Sequence, residues 1–285
     1  MSGNGGFLER ANAARDFNPA RFLPFEVGEQ RAGWIRRDLV QLLRRWPETF
    51  KITEGRVYLV ASLADEPACT AALARVTPLL EREGALSRWR DETYAIRSRP
   101  QDAPLFHIER AAVRFFGLTS AAAHLNGYAQ GADGLRIWIA RRSEGKSIDP
   151  GMLDTLVGGG VPSGQDAWQA LLRECHEEAG IAQALASRAV AAGMLEVRHE
   201  VREGLHSEIL YVHDLEVPAD FLPRNVDAEV GEFMLLNAAE TADRVANGEF
   251  TVEAGLVTLD FLLRHGALAA GSRVRDALDR CRVRP

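Results

Sequence analysis

Residues 157–181 read VGGGVPSGQDAWQALLRECHEEAGI, and this stretch decides the fold class. Met152–Val157 reads as a short strand; Gly158, Gly159 and Gly160 follow it, and a helix is expected from Gly164 to Ala179. Ser163 and Asp166 have the S-x-x-D spacing of a helix N-terminus, and Gly180 suits the position just past the last turn. Trp168, Leu171, Leu172, Cys175 and Ala179 recur at helical spacing as one apolar stripe. Glu174, Glu177 and Glu178 stand at i, i+3 and i+4 on a neighbouring face, which brings their Cβ atoms within about 6 Å.

Such a cluster is unfavourable by itself. Like charges at these spacings repel by a few tenths of a kcal/mol per pair, and carboxylates at a helix C-terminus meet the negative end of its dipole. Arg173 and solvent offset part of this, and a solvated acidic helix end is the plain reading. A divalent cation, Mg2+ or Mn2+, turns the repulsion into a ligand set, because hard cations prefer carboxylate oxygens. The glycines ahead of the helix favour that reading, since they let backbone approach a ligand closely.

The segment resembles the Nudix box, G-x5-E-x7-R-E-U-x-E-E-x-G-U, where U is bulky and apolar. Gly159 opens it, and Arg173, Glu174, Cys175, Glu177, Glu178, Gly180 and Ile181 fill the later positions in register. Gln165 stands where the pattern has its early Glu, and His176 takes a variable position expected to be exposed. The resemblance extends to Phe116-Gly117, His124–Gly127, Trp138–Ser143, Pro150–Asp154, Asp227–Val230, Asp260–Gly266 and the region from Phe25 to Phe50. These stretches look like a Nudix branch with an extra N-terminal domain, associated with thiamine pyrophosphokinase in fungi and plants. That branch has Asp-Gly-Glu-Val where this chain has Asp227-Ala228-Glu229-Val230.

The resemblance implies a Nudix α/β/α sandwich with a mixed sheet at 119–285 and a smaller α/β accessory domain at 1–118. It also implies that Glu174, Glu177 and Glu178 hold Mg2+ or Mn2+, with backbone at Gly158 and Gly159 completing the shell and Arg173 orienting the carboxylates. Glu229, on a loop outside the box, is the candidate base or further metal ligand. Arg141, Arg142 and Lys146 follow a strand on a polar loop, where one of them suits clamping the distal phosphate. His124 and Asn126 are expected to be structural.

Working outward, the N-terminal part reads as helix at Arg36–Trp46, strand at Val57–Val60, helix at Ala68–Glu83 despite Pro78, and extended at Tyr94–Arg97 and Leu105–Ile108. Strands are expected at His124–Gln130 and Leu135–Ala140 around the turn Gly131-Ala132-Asp133-Gly134. Further strands are expected at Ala189–Val197, Glu208–Leu215 and Phe233–Leu236. A closing helix, Thr251–Arg264, ends before Gly266.

The net charge of −6 is uneven: residues 1–120 carry +3 and residues 121–285 carry −9. An acidic half with no basic stripe argues against a nucleic-acid polymer as partner. No apolar run approaches the roughly 20 residues that span a bilayer, and the start lacks a targeting layout, so a cytoplasmic protein without a membrane partner is expected. A homodimer is compatible with the sequence. Cys69, Cys175 and Cys281 are too scattered for a disulfide framework or zinc site and read as small buried apolar residues.

The expected function is divalent-metal-dependent hydrolysis of a diphosphate bond in a small organic diphosphate, thiamine diphosphate or its oxidised analogues being implied by the branch. Three alternatives stand beside it. One is a nucleotide-type substrate (a nucleoside diphosphate or ADP-ribose kind), and another is a non-catalytic metabolite-binding module, which only Gln165 favours. The third, an isoprenoid diphosphate isomerase, needs a catalytic cysteine, and Cys175 lies on the apolar stripe.

Overall fold

In a computed structural model, residues 3–60, 62–63, 65–131, 134–226 and 228–283 are described. Ala132 and Asp133 of the expected turn, and Asp227 of the Asp-Ala-Glu-Val stretch, lie outside the described residues. The chain begins with helix α1 (Gly3–Ala13), strands β1 (Phe22–Val27) and β2 (Gln30–Arg36), and the short helix α2 (Val40–Leu43). Strands β3 (Phe50–Ile52) and β4 (Val57–Leu59), helix α3 (Glu66–Arg82) and the hairpin β5 (Thr93–Ile96)–β6 (Phe106–Glu109) follow. β1–β4 form a sheet in the order β2-β1-β4-β3. Phe25, Ile35, Leu73, Phe106 and Phe116 pack together between this sheet, α3 and the hairpin.

The helix expected over Arg36–Trp46 is therefore shortened. Burial explains it: Ile35 pairs with Leu23 of β1 and is fully buried, so the chain stays extended to Arg36. Only Val40–Leu43 is left to coil. Pro78 is accommodated inside α3, which Asp65 caps by accepting from the Ala68 N–H at 2.9 Å.

The second part opens with the long strands β7 (Thr119–Gly131) and β8 (Gly134–Arg142), then β9 (Leu153–Asp154) and β10 (Val157–Gly160). Helices α4 (Ala167–Ala179) and α5 (Gln183–Ala186) follow, then strands β11 (Val190–Val201), β12 (Gly204–Glu216) and β13 (Val230–Asn237). Helices α6 (Ala238–Ala246), α7 (Val252–Arg264) and α8 (Ser272–Asp279) close the chain. The sheet runs β11-β12-β7-β8-β13, with β10 on β7 and β9 on β8. It is mixed: β12 runs parallel to β7 and every other pair is antiparallel. Strand alternation sends Ala123 and Leu125 toward α4, with Leu171 and Cys175. It sends Ala122, Leu210 and Val212 toward α7, with Leu256 and Val257. The result is an α/β/α sandwich.

Helix α1 packs on this second unit, where Phe7 and Ala11 meet Val245, Leu259 and Val274. The three glycines after Val157 are not a loop. They form most of β10, whose backbone pairs with β7 at Gly158↔His124, Gly159↔Ala123 and Gly160↔Ala122. Helix α4 begins later than the spacing suggested. Its capping box joins Asp166 to Gln169, and Ser163 instead bonds His107 Nδ1 at 2.8 Å.

Among the described residues no helix is long and apolar enough to cross a membrane. The three cysteines are free and buried.

Candidate active site

The C-terminal end of α4 lies against β10, and glycine is what lets them meet. A Cβ on Gly159 would stand 2.1 Å from Glu174 Oε1 and 2.2 Å from its Cδ. A Cβ on Gly160 would stand 1.8 Å from Tyr94 Oη. The strand is thus pressed from one part of the chain by a carboxylate and from the other by a buried tyrosine of β5.

The box residues form a connected set. Arg173 donates from Nη2 to Glu174 Oε1 at 2.8 Å, from Nη1 to Glu177 Oε2 at 2.7 Å, and from Nε to Gln165 Oε1 at 3.4 Å. The early box position therefore still offers Arg173 an acceptor, now uncharged. Glu178 accepts the Gly158 N–H at 2.9 Å. Glu174 and Glu178 are buried, at 9% and 6% exposure, whereas the Glu177 side chain is 40% exposed. Burial pushes the Glu178 carboxyl up to about 8, helped by Glu174 and Asp154 and opposed by the Gly158 N–H and Lys146. Burial also raises Glu174, against the pull of Arg173. Two buried carboxyls that resist ionisation side by side are what a bound cation relieves, and an all-oxygen donor set fits a hard divalent ion.

These groups line a cleft of about 330 Å3. Glu177, Arg142, Lys146 and Glu229 share it. Lys146 and Glu229 form an ion pair across its mouth. Arg142 holds the loop that follows β8, donating to Asp154 Oδ2 at 2.9 Å and to Ile148 O at 2.9 Å. Arg141, on the opposite face of β8, does not line the cleft; its Nη1 donates to Gly151 O at 2.9 Å and its Nε pairs with Glu232 at 3.2 Å.

His124 and Asn126 serve the scaffold. His124 Nδ1 bonds Thr155 Oγ1 at 3.0 Å under the glycine strand. Asn126 donates to Asp214 Oδ1 at 2.9 Å, and Asp214 also pairs with Arg264 and His265 of the closing helix. Burial raises the Asp214 carboxyl, but the hydrogen bonds and charge of Arg264, with Asn126 and His265, outweigh it and hold the group below the usual aspartate range. Burial pushes the Cys175 thiol up to about 12, beside Glu178 and Glu174, so it stays protonated and apolar.

The cleft also takes residues that sequence spacing did not single out. Arg90, Glu92, Tyr94 and Arg110 reach it from the first part of the chain. Arg110 pairs with Glu92 at 2.7 Å, and Arg90 contacts Ser147 of the loop after β8. Burial lowers the Arg90 pKa, and the neighbouring charges of Arg110 and Arg88 add to this, as expected where cations crowd without full compensation. No local pattern marks these residues, because only the docking of the two units brings them together.

Two family profiles match the chain: a NUDIX domain over residues 127–254, and a domain of unknown function (DUF4743) over residues 6–120. Nudix hydrolase 24, chloroplastic, of Arabidopsis thaliana is 38% identical over 269 residues, 92% of this chain and 73% of the relative. Nudix hydrolase 20, chloroplastic, of the same plant is 34% identical over 92% of this chain and 73% of its own length. The chain belongs to the Nudix hydrolase family. A solved C. elegans Ap4A hydrolase is also similar in shape, with 20% identity, a TM-score of 0.39, and coverage of 52% of this chain and 99% of its own. As a Nudix hydrolase this protein acts on phosphorus-containing anhydrides, and its relatives generally use divalent metals.

Proposed function

We propose that this Nudix hydrolase cleaves the diphosphate bond of a small organic diphosphate, with thiamine diphosphate and its oxidised analogues as the substrate class. The observation that carries the reading is the meeting, in one cleft, of three α4 carboxylates with Lys146, Arg142, Arg90 and Arg110. Anionic groups at one wall and cationic groups around it suit a phosphate chain whose charge is neutralised from both sides.

Glu174, Glu177 and Glu178 are the residues to hold Mg2+ or Mn2+, with backbone at Gly158 and Gly159 beside them. A divalent ion there supplies neutralisation of diphosphate charge and acidification of water. Arg173 fixes Glu174 and Glu177 by charge-assisted bonds, so their oxygens are set before substrate arrives. The Gly158 N–H fixes Glu178 in the same way. Lys146 and Arg90 neutralise the distal phosphate, and Glu229, which lines the same cleft and pairs with Lys146, is the candidate base for the attacking water. Arg141, turned to the other face of the sheet, is given no part in this scheme.

A nucleotide-type substrate is the alternative within the same chemistry. A panel that includes thiamine diphosphate, nucleoside diphosphates and ADP-ribose, with orthophosphate and nucleoside monophosphate release measured separately, distinguishes them. Orthophosphate release from thiamine diphosphate supports the proposal. Activity confined to nucleotides refutes the substrate class, and no hydrolysis despite tight binding refutes catalysis.

A further inference from the structure

The cleft holds a second concentration of metal-ligating atoms, reached by β12 rather than by β10; the two strands flank β7 from opposite sides. His199 and His206 are direct partners across the β11–β12 hairpin, so their side chains share one face. Their rings meet edge-on at 5.2 Å. Glu253, in the first turn of α7, reaches between them. Its Oε1 lies 3.3 Å from His199 Nε2 and 2.8 Å from His206 Nε2. Glu208, two residues beyond His206 on the same face, brings Oε2 to 3.6 Å from that nitrogen. Its other oxygen accepts from Ser120 Oγ at 2.8 Å.

The decisive atom is His206 Nε2. His206 is only 7% exposed, and this nitrogen has no hydrogen bond of acceptable geometry although two carboxylates crowd it. Buried polar atoms are rarely left so. A cation at the centre of the group satisfies it.

We propose that His199, His206 and Glu253, with Glu208 alongside, form a second cation site that takes a borderline divalent transition-metal ion of the zinc type. The ligand atoms of the first three lie within 4.8 Å of one another. A four-coordinate ion with bonds of about 2.0–2.1 Å holds its ligand atoms roughly 3.3 Å apart; Glu253 Oε1 already stands at that distance from His199 Nε2 and must open by about 0.5 Å from His206 Nε2. Charge agrees: the two carboxylates carry the charge of one divalent ion in the opposite sense. So does softness, since imidazole nitrogen favours zinc-like ions over Mg2+, whereas the α4 cluster offers oxygen alone. Ser120 supplies the outer hydrogen bond that holds a ligand carboxylate in place. His206, Glu208 and Glu253 all line the cleft, so an ion here adds positive charge to it. The inference asks nothing of Glu174, Glu177 or Glu178 and stands apart from the hydrolytic reading.

The test titrates the full chain, 15N-labelled at histidine, with Zn2+ under saturating Mg2+, and follows the imidazole nitrogens by NMR. Two of the seven histidines are expected to shift, both at Nε2, and to be assigned to His199 and His206 by their loss in the Gln variants. Calorimetry on Glu177→Gln/Glu178→Gln should retain one Zn2+ per chain. His206→Gln should weaken that ion by about 100-fold or more, beyond the 10–100-fold that outer-shell changes cause. Zn2+ that shifts no imidazole, or shifts a different set, overturns the proposal. Undiminished affinity in a folded His206→Gln chain does the same. If that variant fails to fold, His199→Gln and the wild-type spectra decide.

Discussion

Gly159→Ala adds one methyl where the Glu174 carboxyl lies. Glu174 Oε1, Cδ and Cγ would stand 2.1, 2.2 and 2.5 Å from the new Cβ, and ordinary packing begins at 3.4 Å. Glu174 must therefore retreat by about 1 Å or more, as overpacked side chains do. It cannot swing freely, since Arg173 grips its Oε1 at 2.8 Å and the side chain is buried. Gly159 has no positive φ, so the backbone tolerates Ala and the whole effect falls on Glu174. Overpacking costs about 1–3 kcal/mol, and displacing a catalytic group by about 1 Å costs roughly 100-fold in rate. The expected result is a fall of about 100-fold in Mg2+-dependent turnover, with a modest loss of stability in denaturant melts. A double-mutant cycle isolates the contact: in a Glu174→Ala background, Gly159→Ala should cost little stability. Wild-type turnover in Gly159→Ala, or an equal stability loss in both backgrounds, refutes the packing argument.

Three further outcomes follow. Asp214→Asn should destabilise the fold by about 3 kcal/mol, because Arg264 loses a buried carboxylate partner. Asp214 has a depressed pKa in the folded state, so its contribution is present above the ordinary aspartate range and lost as pH falls through the folded pKa. Melts should accordingly show the gap between variant and parent closing from about pH 4 downward. Arg90→Ala should raise KM about tenfold with little change in kcat, if its charge binds phosphate uniformly in ground and transition states; an unchanged KM counts against the N-terminal unit as part of the site. Gln165→Glu should strengthen the pairing with Arg173 and leave turnover within about threefold, since the early box position touches the carboxylates only through that arginine; a larger change in steady-state rate assigns it a direct role.

Much of the site was legible because it is local. The spacing of Arg173, Glu174, Glu177 and Glu178 on one helix, and Gly180 at φ 63, follow from helical geometry and need no tertiary information. Strands β4, β7, β8, β11, β12 and β13 are likewise legible to within a few residues, because each is a short run rich in apolar residues between turn-prone ones. The strand was expected to end at Val157, ahead of the glycines, because glycine carries no strand preference; pairing with β7 and the approach of Glu174 and Tyr94 extend it to Gly160. Helices α1, α5, α6 and α8 were not anticipated. α1 depends on burying Phe7 and Ala11 against a part of the chain more than 200 residues away. Shorter separations, of 57 and 54 residues, also hide Arg90, which meets Ser147, and the His199–His206–Glu253 group, whose members converge only after folding.

The central claim is that α4 holds the cation on which diphosphate hydrolysis depends. Steady-state phosphate release from thiamine diphosphate, measured for the parent and for Glu178→Gln with Mg2+ and with chelator, tests it most directly. The parent should turn over only with Mg2+, and folded Glu178→Gln should be slower by about 100-fold or more. Chelator-resistant hydrolysis, or a Glu178→Gln rate equal to the parent's, contradicts the account.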